Sequence, residues 1–202
     1  MGKGATYNVP YRRRREGKTN YSLRKKLVSS GLPRIVARKT GKYIIIQLIE
    51  PDVKGDRVIV SAHSSELRKK YGYLGSLNSL PSSYLTGLLC GYKSVASNIK
   101  EAILDIGLQI PSKGANVFAV AKGFLDAGVQ VPFNEDVVPD EKRIMGTHIA
   151  EYAEKLSSNP EEYKRFFSSY NKRGLAPEKI PENFIATKEK IVSNFQKKSK
   201  RE

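Results

Sequence analysis

The densest set of side chains that could do chemistry lies near the N-terminus, in the stretch VPYRRRREGKTNYSLRKK at residues 9–26. Residues 12–26 contain eight basic side chains and one acidic side chain, and Tyr11 and Tyr21 are interleaved with them. Guanidinium groups bind phosphate oxygens through paired hydrogen bonds, and tyrosine rings stack on unpaired bases. In an extended chain, successive arginines would point in opposite directions and reach phosphates on both sides. The pattern therefore predicts a surface that binds nucleic acid.

Catalytic patterns are weaker. The chain has no G-x-x-x-x-G-K-[ST] loop, no G-x-S-x-G elbow and no H-E-x-x-H pair. His63 and Glu66 could meet across one helical turn, although a polar strand-end residue beside a helix start explains them better. Asp105, on a predicted buried strand, and Glu50, at a strand end, would suit metal-assisted phosphoryl cleavage. A capping role explains Asp105 equally well. We expect no enzymatic activity, cofactor or metal, and keep a metal-dependent nuclease as the rival hypothesis.

The positive charge is unevenly distributed along the chain. The formal net charge is +16, with +12 on residues 1–42, −1 on residues 43–156 and +5 on residues 157–202. A dense positive segment needs counter-charge, and nucleic-acid phosphate is the commonest polyanion in a cell. Two alternatives remain open for the N-terminal cluster: a solvated polybasic tail, or a nuclear-localisation type of signal. A basic assembly factor or DNA-binding protein without a preferred RNA is the further alternative for the whole chain.

The elements that must position these residues begin with three strands. RIVARKT (34–40) and YIIIQLIE (43–50) alternate with a period of two around Gly41-Lys42, which predicts a tight hairpin. RVIVSAH (57–63) predicts a third antiparallel strand. The alternation places Arg34, Arg38 and Thr40 on one face of the first strand. On the third strand it places Val58, Val60 and Ala62 on one face and Arg57, Ser61 and His63 on the other. A meander with one polar, partly basic face follows.

Helical spacing dominates the rest of the chain. A helix starting at Pro81 is followed by AILDIG (102–107), which we predict as a buried strand parallel to its predecessor through a helical crossover. Further helices are predicted at residues 114–127, 140–156, 161–170 and 183–198, and VQVP (129–132) as a short edge strand.

The fold class is therefore α/β: a single domain with a mixed sheet of three antiparallel strands followed by a β-α-β crossover. We predict a basic arm at residues 1–33, a globular α/β domain at 34–156 and a helical C-terminal extension at 157–202. The longest apolar run, Val117 to Ala121, is too short to span a bilayer, and Cys90 is the single cysteine. These features indicate a soluble intracellular protein that has no membrane partner.

Several long blocks resemble a known family, in order and with its spacing. They are VPYRRRREGKTNYSLRKKL, PRIVARKTGKYIIIQLIEP, GDRVIVSAHSSEL, AILDIGLQIPSKGANVFAVAKGFLDAG and RIMGTHIAEYAEKL. Together they resemble the archaeal-type members of the universal large-subunit ribosomal protein eighteen family, whose eukaryotic relative is large-subunit protein five. The resemblance covers about residues 5–156.

The resemblance implies a cytoplasmic, non-enzymatic component of the large ribosomal subunit that binds 5S ribosomal RNA in the central protuberance. It also implies contacts with large-subunit ribosomal RNA and with neighbouring ribosomal proteins, including the universal protein five family, and a ribonuclease-H-like fold. The expected RNA-binding residues are Tyr11, Arg12, Arg13, Arg14, Arg15, Lys18, Thr19, Asn20, Tyr21, Arg24, Lys25, Arg34, Arg38, Lys39, Lys42, His63 and Ser64.

Overall fold

The strands form a four-stranded mixed sheet within the part of the chain that the structure describes. A computed structural model describes the backbone of residues 4–199 and the side chains of residues 4–196. The strands are β1 (Arg34–Lys39), β2 (Ile44–Asp52), β3 (Gly55–His63) and β4 (Ile103–Asp105). Their order is β3-β2-β1-β4, with β1 antiparallel to β2, β2 antiparallel to β3, and β4 parallel to β1. The predicted mixed sheet is confirmed.

The predicted hairpin between β1 and β2 is confirmed. The Thr40 N–H donates to the Tyr43 carbonyl oxygen at 2.8 Å, which closes the turn at Gly41-Lys42. The predicted parallel strand is also present, but its partner is β1 and not the preceding strand β3. In place of the predicted VQVP edge strand, the structure has a single parallel bridge between Gln130 and Glu101.

Helices account for most of the remaining described chain. They are α1 (Arg12–Arg15), α2 (Tyr21–Val28), α3 (Ser65–Tyr71), α4 (Leu80–Ala96), α5 (Asn116–Asp126), α6 (Glu141–Met145), α7 (Thr147–Leu156), α8 (Pro160–Asn171) and α9 (Ile180–Ser199). Short 3-10 turns occur at Glu135–Val137 and Pro177–Lys179.

The core lies between one face of the sheet and the helices α4 and α5. Leu85 and Leu89 of α4 and Phe124 of α5 are completely buried, as are Ile35 and Ile46 of the sheet. Burying side chains of this size supplies the main driving force for folding. The opposite face of the sheet is therefore left free to meet the basic arm.

Glycines allow α4 and α5 to approach closely. A Cβ atom at Gly87 would lie 2.6 Å from the Val120 carbonyl oxygen, and one at Gly123 would lie 2.6 Å from the Leu88 nitrogen. Both contacts are with backbone atoms, which move less readily than the end of a side chain. A side chain at either position would therefore push the two helices apart.

Two predictions of local structure are wrong. The helix predicted over residues 140–156 is interrupted at Gly146, whose φ of +86° lies in the left-handed region and separates α6 from α7. Val58 is 45% exposed, whereas Val60 and Ala62 are buried as their alternation suggests. A register shift between Leu48 and Ile49 explains this difference, because a bulge reverses the alternation beyond it.

The C-terminal helix α9 packs on the same core. Its Phe184 and Ile191 are buried and belong to the same hydrophobic cluster as the core residues of the sheet and α4. The Leu74 N–H donates to Asn183 Oδ1 at 3.1 Å, which ties α9 to the loop before α4. The helical character predicted for residues 157–202 is confirmed where the structure describes them; the domain boundary at 156 stays a prediction. None of the described helices is long and apolar enough to cross a membrane.

Candidate nucleic-acid interface

The basic arm is folded into two short helices, so the extended conformation predicted for its arginines is wrong. Arg12–Arg15 form one helical turn, α1, and all four side chains are exposed. Successive side chains of a helix point about 100° apart, so the four guanidinium groups radiate around the turn. Local backbone hydrogen bonds hold this turn, including those from Arg14 N–H and Arg15 N–H to the Tyr11 carbonyl oxygen, both 3.0 Å long.

Glu16 partly neutralises the cluster. Its Oε1 accepts from Arg12 Nε at 2.8 Å and its Oε2 lies 2.9 Å from Lys18 Nζ. These hydrogen bonds, from Arg12 first and Lys18 second, lower the pKa of Glu16 below its ordinary value. Exposed pairs of this kind are weak in water, and phosphate groups can compete for the same cations.

The second helix of the arm starts at a capping residue from the predicted site. Asn20 Oδ1 accepts from the Leu23 N–H at 3.1 Å, so this side chain also begins α2. Arg13 Nε donates to Thr19 Oγ1 at 2.8 Å, and the rings of Tyr11 and Tyr21 lie 5.0 Å apart. Residues on both sides of the α1–α2 turn are thus held next to one another.

A chain of four alternating charges joins the arm to the sheet. Arg24 of α2 donates to both carboxylate oxygens of Asp56, at 2.9 Å and 3.0 Å. The same carboxylate lies 2.9 Å from Arg34 Nη2, and Arg34 Nη1 donates to Asp105 Oδ2 at 2.7 Å. We call these four residues the ion-pair chain. It positions α2 over the face of the sheet opposite α4 and α5.

Arg34 is therefore misplaced in the predicted RNA-binding set. It is only 3% exposed, and its charge is balanced by two carboxylates of the protein itself. An arginine buried between carboxylates is unavailable to phosphate on the surface. The sequence could not show this, because Asp105 lies 71 residues further along the chain.

Two of the carboxylates considered for catalysis, Asp105 and Glu66, have structural partners. Asp105 accepts from Arg34 and also from the Gly107 N–H at 2.9 Å, which confirms the capping interpretation. Glu66 Oε1 accepts from the His63 N–H at 3.2 Å, and its carboxylate pairs with Lys70 and Lys93. Among the described residues, no group of three or more His, Cys, Asp or Glu side chains is placed to hold a metal ion.

The hairpin retains its exposed cations. Arg38, Lys39 and Lys42 are exposed, and Arg38 Nη1 donates to Gln47 Oε1 of the neighbouring strand. His63 is half-buried beside Tyr43, with 5.0 Å between ring centroids. Its Nδ1 accepts from the Ser65 N–H at 3.1 Å, so the proton of the neutral ring lies on Nε2.

Ser64 is a second misplaced residue. It is fully buried, and its Oγ accepts from the Ile44 N–H at 3.1 Å. Its side chain therefore supports the end of the β2–β3 ladder and does not contact a partner outside the protein. Because Ser64 follows the polar end of β3, the sequence predicted an accessible side chain, but the structure buries it.

Seven of the predicted residues line one cleft between the arm and the outer face of the sheet, which we call the arm–sheet cleft. Its volume is about 610 Å³. The predicted residues on its walls are Arg13, Lys18, Thr19, Asn20, Arg24, Arg34 and Arg38. Arg14 and Tyr21 line a smaller hollow of about 250 Å³ beside it.

Sequence reasoning missed several residues that line this cleft. Asp56 orients the arm, and Leu108 and Gln109 come from the loop after β4. Gln109 Nε2 donates to the Ala37 carbonyl oxygen at 2.7 Å, which fixes that loop against β1. The one signal in the sequence that could have indicated Leu108 and Gln109 is the segment GLQIP. Its apolar residues follow a glycine and do not belong to a periodic helix or strand.

An exposed cationic arm anchored on an α/β sheet is typical of a protein that binds a polyanion. A family model described as "Ribosomal large subunit proteins 60S L5, and 50S L18" matches residues 5–101 and 96–134. The large ribosomal subunit protein uL18 of Staphylothermus marinus is 49% identical over 197 residues, which is 97% of this chain and 98% of that protein.

The chain belongs to this family of ribosomal large-subunit proteins. The predicted resemblance to its archaeal-type members is confirmed.

Proposed function

We propose that this protein binds 5S ribosomal RNA and anchors it in the central protuberance of the large ribosomal subunit. The observation that carries the proposal is the exposed turn Arg12–Arg15, which lies beside α2 through the Arg13–Thr19 hydrogen bond, while the ion-pair chain attaches α2 to the folded domain. A polybasic tail that only attracts phosphate needs no such attachment. A cationic turn held in one orientation provides the geometry that a particular folded RNA requires.

The RNA-binding surface consists of the predicted residues that the structure leaves accessible. These are Tyr11, Arg12, Arg13, Arg14, Arg15, Lys18, Thr19, Asn20, Tyr21, Arg24, Lys25, Arg38, Lys39, Lys42 and His63. The residues of the turn bind phosphates, and Tyr11 and Tyr21 contact bases. Arg24 takes part while remaining paired with Asp56, since 37% of its side chain is exposed.

The wider assignment follows the family. We propose that the protein works in the cytoplasm as a ribosomal component, contacts large-subunit ribosomal RNA, and has neighbours that include the universal protein five family. Its fold is assigned to the ribonuclease-H-like arrangement, which the strand order β3-β2-β1-β4 supports. No catalytic role is assigned to Asp105, because Arg34 and the Gly107 N–H occupy its carboxylate.

A competition assay tests the proposal. Labelled 5S ribosomal RNA is bound to the full chain and challenged with unlabelled 5S RNA, transfer RNA or duplex DNA. We expect 5S RNA to compete best, and engagement of roughly six to ten phosphates should lower affinity by about 10³–10⁵ between 50 and 200 mM salt. Equal competition by all three nucleic acids would instead support the basic assembly factor or DNA-binding alternative.

A further inference from the structure

The arm–sheet cleft has an apolar floor beneath a cationic rim. Its apolar lining comes from the sheet, from α2 and from the loop after β4: Leu23, Val36, Ala37, Ile49, Ile106 and Leu108. Five basic side chains and two carboxylates also line it. Both carboxylates, Asp56 and Asp105, are already paired with arginines, so the remaining charge of the cleft is positive.

One wall of the cleft is built on a buried arginine, Arg34. Arg34 Nε and Nη2 are buried and make no hydrogen bond within the described part of the chain, although Nη2 lies at ion-pair distance from Asp56 Oδ1. Because these nitrogens are enclosed by the protein, a ligand in the cleft does not reach them, and Arg34 supports the wall without contacting the ligand.

We propose that the arm–sheet cleft receives one unpaired nucleotide of the bound RNA. Its volume of about 610 Å³ falls in the range of pockets that enclose a small organic ligand, whereas a base-paired helix cannot enter it. The apolar floor suits the faces of a base, and the cations at the rim suit its phosphate. This inference rests on the proposed function, because RNA must be the partner.

The chemistry distinguishes this contact from binding to duplex phosphates. Sequence-specific recognition of RNA usually takes bases that have left the stack, since the deep groove of an RNA helix excludes side chains. Arg12, Arg14 and Arg15 hold phosphates outside the cleft and Arg13 lies on its rim, while the cleft itself selects for a base that is free to enter. The protein would therefore prefer an RNA with an extrahelical nucleotide at the correct distance from its phosphate contacts.

The first test reduces the volume of the cleft by enlarging a side chain of its apolar floor. Val36→Phe places a larger side chain among the lining residues, and Val58→Phe is the matched control because Val58 is an exposed strand valine outside the lining. Fluorescence anisotropy with a labelled ten-nucleotide single-stranded oligouridine and a ten-base-pair RNA duplex gives the affinities. We expect Val36→Phe to weaken single-strand binding about tenfold, to leave duplex binding within about twofold, and Val58→Phe to change neither.

A second pair of variants, at exposed loop positions, keeps the proposal testable if Val36→Phe does not fold. Leu108 and Ile110 are exposed residues of one loop, but only Leu108 lines the cleft. Leu108→Ser should weaken single-strand binding about threefold, and Ile110→Ser should have no effect. If Leu108→Ser and Val36→Phe both bind the single strand as their controls do, the cleft assignment is overturned.

Chemical probing of the 5S RNA complex separates the two proposals. With the wild-type protein, one unpaired base should be protected from dimethyl sulfate or carbodiimide, and Val36→Phe should restore its reactivity. If 5S RNA competes no better than transfer RNA while the cleft variants still weaken single-strand binding, the proposed function fails and the nucleotide site stands. If 5S RNA binds specifically and no base changes reactivity between wild type and Val36→Phe, only the cleft assignment fails.

Discussion

The basic arm and the body of the protein use arginine in opposite ways. In the arm, α1 and α2 contain no buried residue, and the guanidinium groups of Arg12–Arg15 face solvent. In the body, Arg34 is 3% exposed and lies between two carboxylates. The arginines of the arm are therefore accessible to a charged partner, whereas the arginine of the body is paired with carboxylates inside the protein. Net charge alone does not distinguish these uses.

Asp56 is where the two regions meet. Its carboxylate binds Arg24 of the arm, whose side chain is 37% exposed, and Arg34 of the body, whose side chain is 4% exposed. One carboxylate thus has a solvated partner and a buried partner at the same distance. The comparison predicts that disrupting the arm affects RNA binding and that disrupting the body affects folding.

Removing the arm is the strongest test of that separation. Deletion of residues 1–20 removes α1 and its four arginines, and we expect the affinity for 5S RNA to fall by about 10³ or more because several phosphate contacts disappear. The melting temperature should change little, since none of residues 4–20, the part of this segment that the structure describes, is buried. Filter binding and differential scanning calorimetry give the two values. Unchanged affinity in the truncated protein would remove the arm from the interface.

Arg34→Ala should cause the largest loss of stability. It leaves Asp105 buried without a charged partner, and breaking a buried pair in this way costs about 3–5 kcal/mol of unfolding free energy. Arg24→Ala is the matched control at the same Asp56 carboxylate and should cost about 0–1 kcal/mol, because its partner is partly solvated. Urea denaturation measures both. Equal losses would show that the arm and the body share one cooperative charge network.

Ser64→Ala tests a residue that was predicted on the RNA-binding surface and is buried in the structure. Its hydroxyl accepts the Ile44 N–H, and leaving that buried donor unpaired should cost about 1–2 kcal/mol of unfolding free energy. The affinity for 5S RNA should be unchanged at temperatures where the variant is folded. Ser61→Ala, on an exposed position of β3, should have almost no effect on stability. A loss of affinity in Ser64→Ala alone would return Ser64 to the RNA-binding surface.

Glu66 gives the smallest expected effect, one that depends on pH. Burial tends to raise the pKa of Glu66, but hydrogen bonds from the His63 N–H, Lys70 and Lys93 together lower it below its ordinary value. A carboxyl group with a lowered folded-state pKa stabilises the protein above its unfolded pKa, and loses this contribution as pH falls through the folded value.

Glu66→Gln should therefore cost about 1 kcal/mol or less of unfolding free energy at pH 7. The difference from wild type should shrink below about pH 4.3. Urea denaturation at pH 7 and pH 3.5 measures it, with RNA affinity at pH 7 as the control for the arm. A difference that stays constant across this interval would contradict the charge-based explanation.

Local patterns predicted the elements with strong periodicity. The alternation in RIVARKT and YIIIQLIE and the Gly41-Lys42 turn gave the first hairpin, because strand periodicity and turn chemistry are both local properties. The break at Gly146 was missed because an isolated glycine is compatible with a helix. The tertiary surroundings favour glycine at this position, because a Cβ atom here would lie 2.9 Å from Ile180, which is distant in sequence.

The candidate site was predicted less completely than the fold. Arg13, Lys18, Thr19 and Asn20 were expected to bind RNA from the basic cluster and from the family resemblance, and the structure brings them to one cleft. Leu108 gave no such signal, because an apolar loop residue acquires a role only from the arm that lies beside it.

The sequence by itself determined where the positive charge lies, that strands precede the main helices, and to which family the chain belongs. Only the tertiary structure decided which cations are free, because pairing depends on partners such as Asp56 and Asp105, which lie 32 and 71 residues from Arg24 and Arg34 respectively. A charge is a property of its residue, whereas its availability to a partner is a property of everything folded around it.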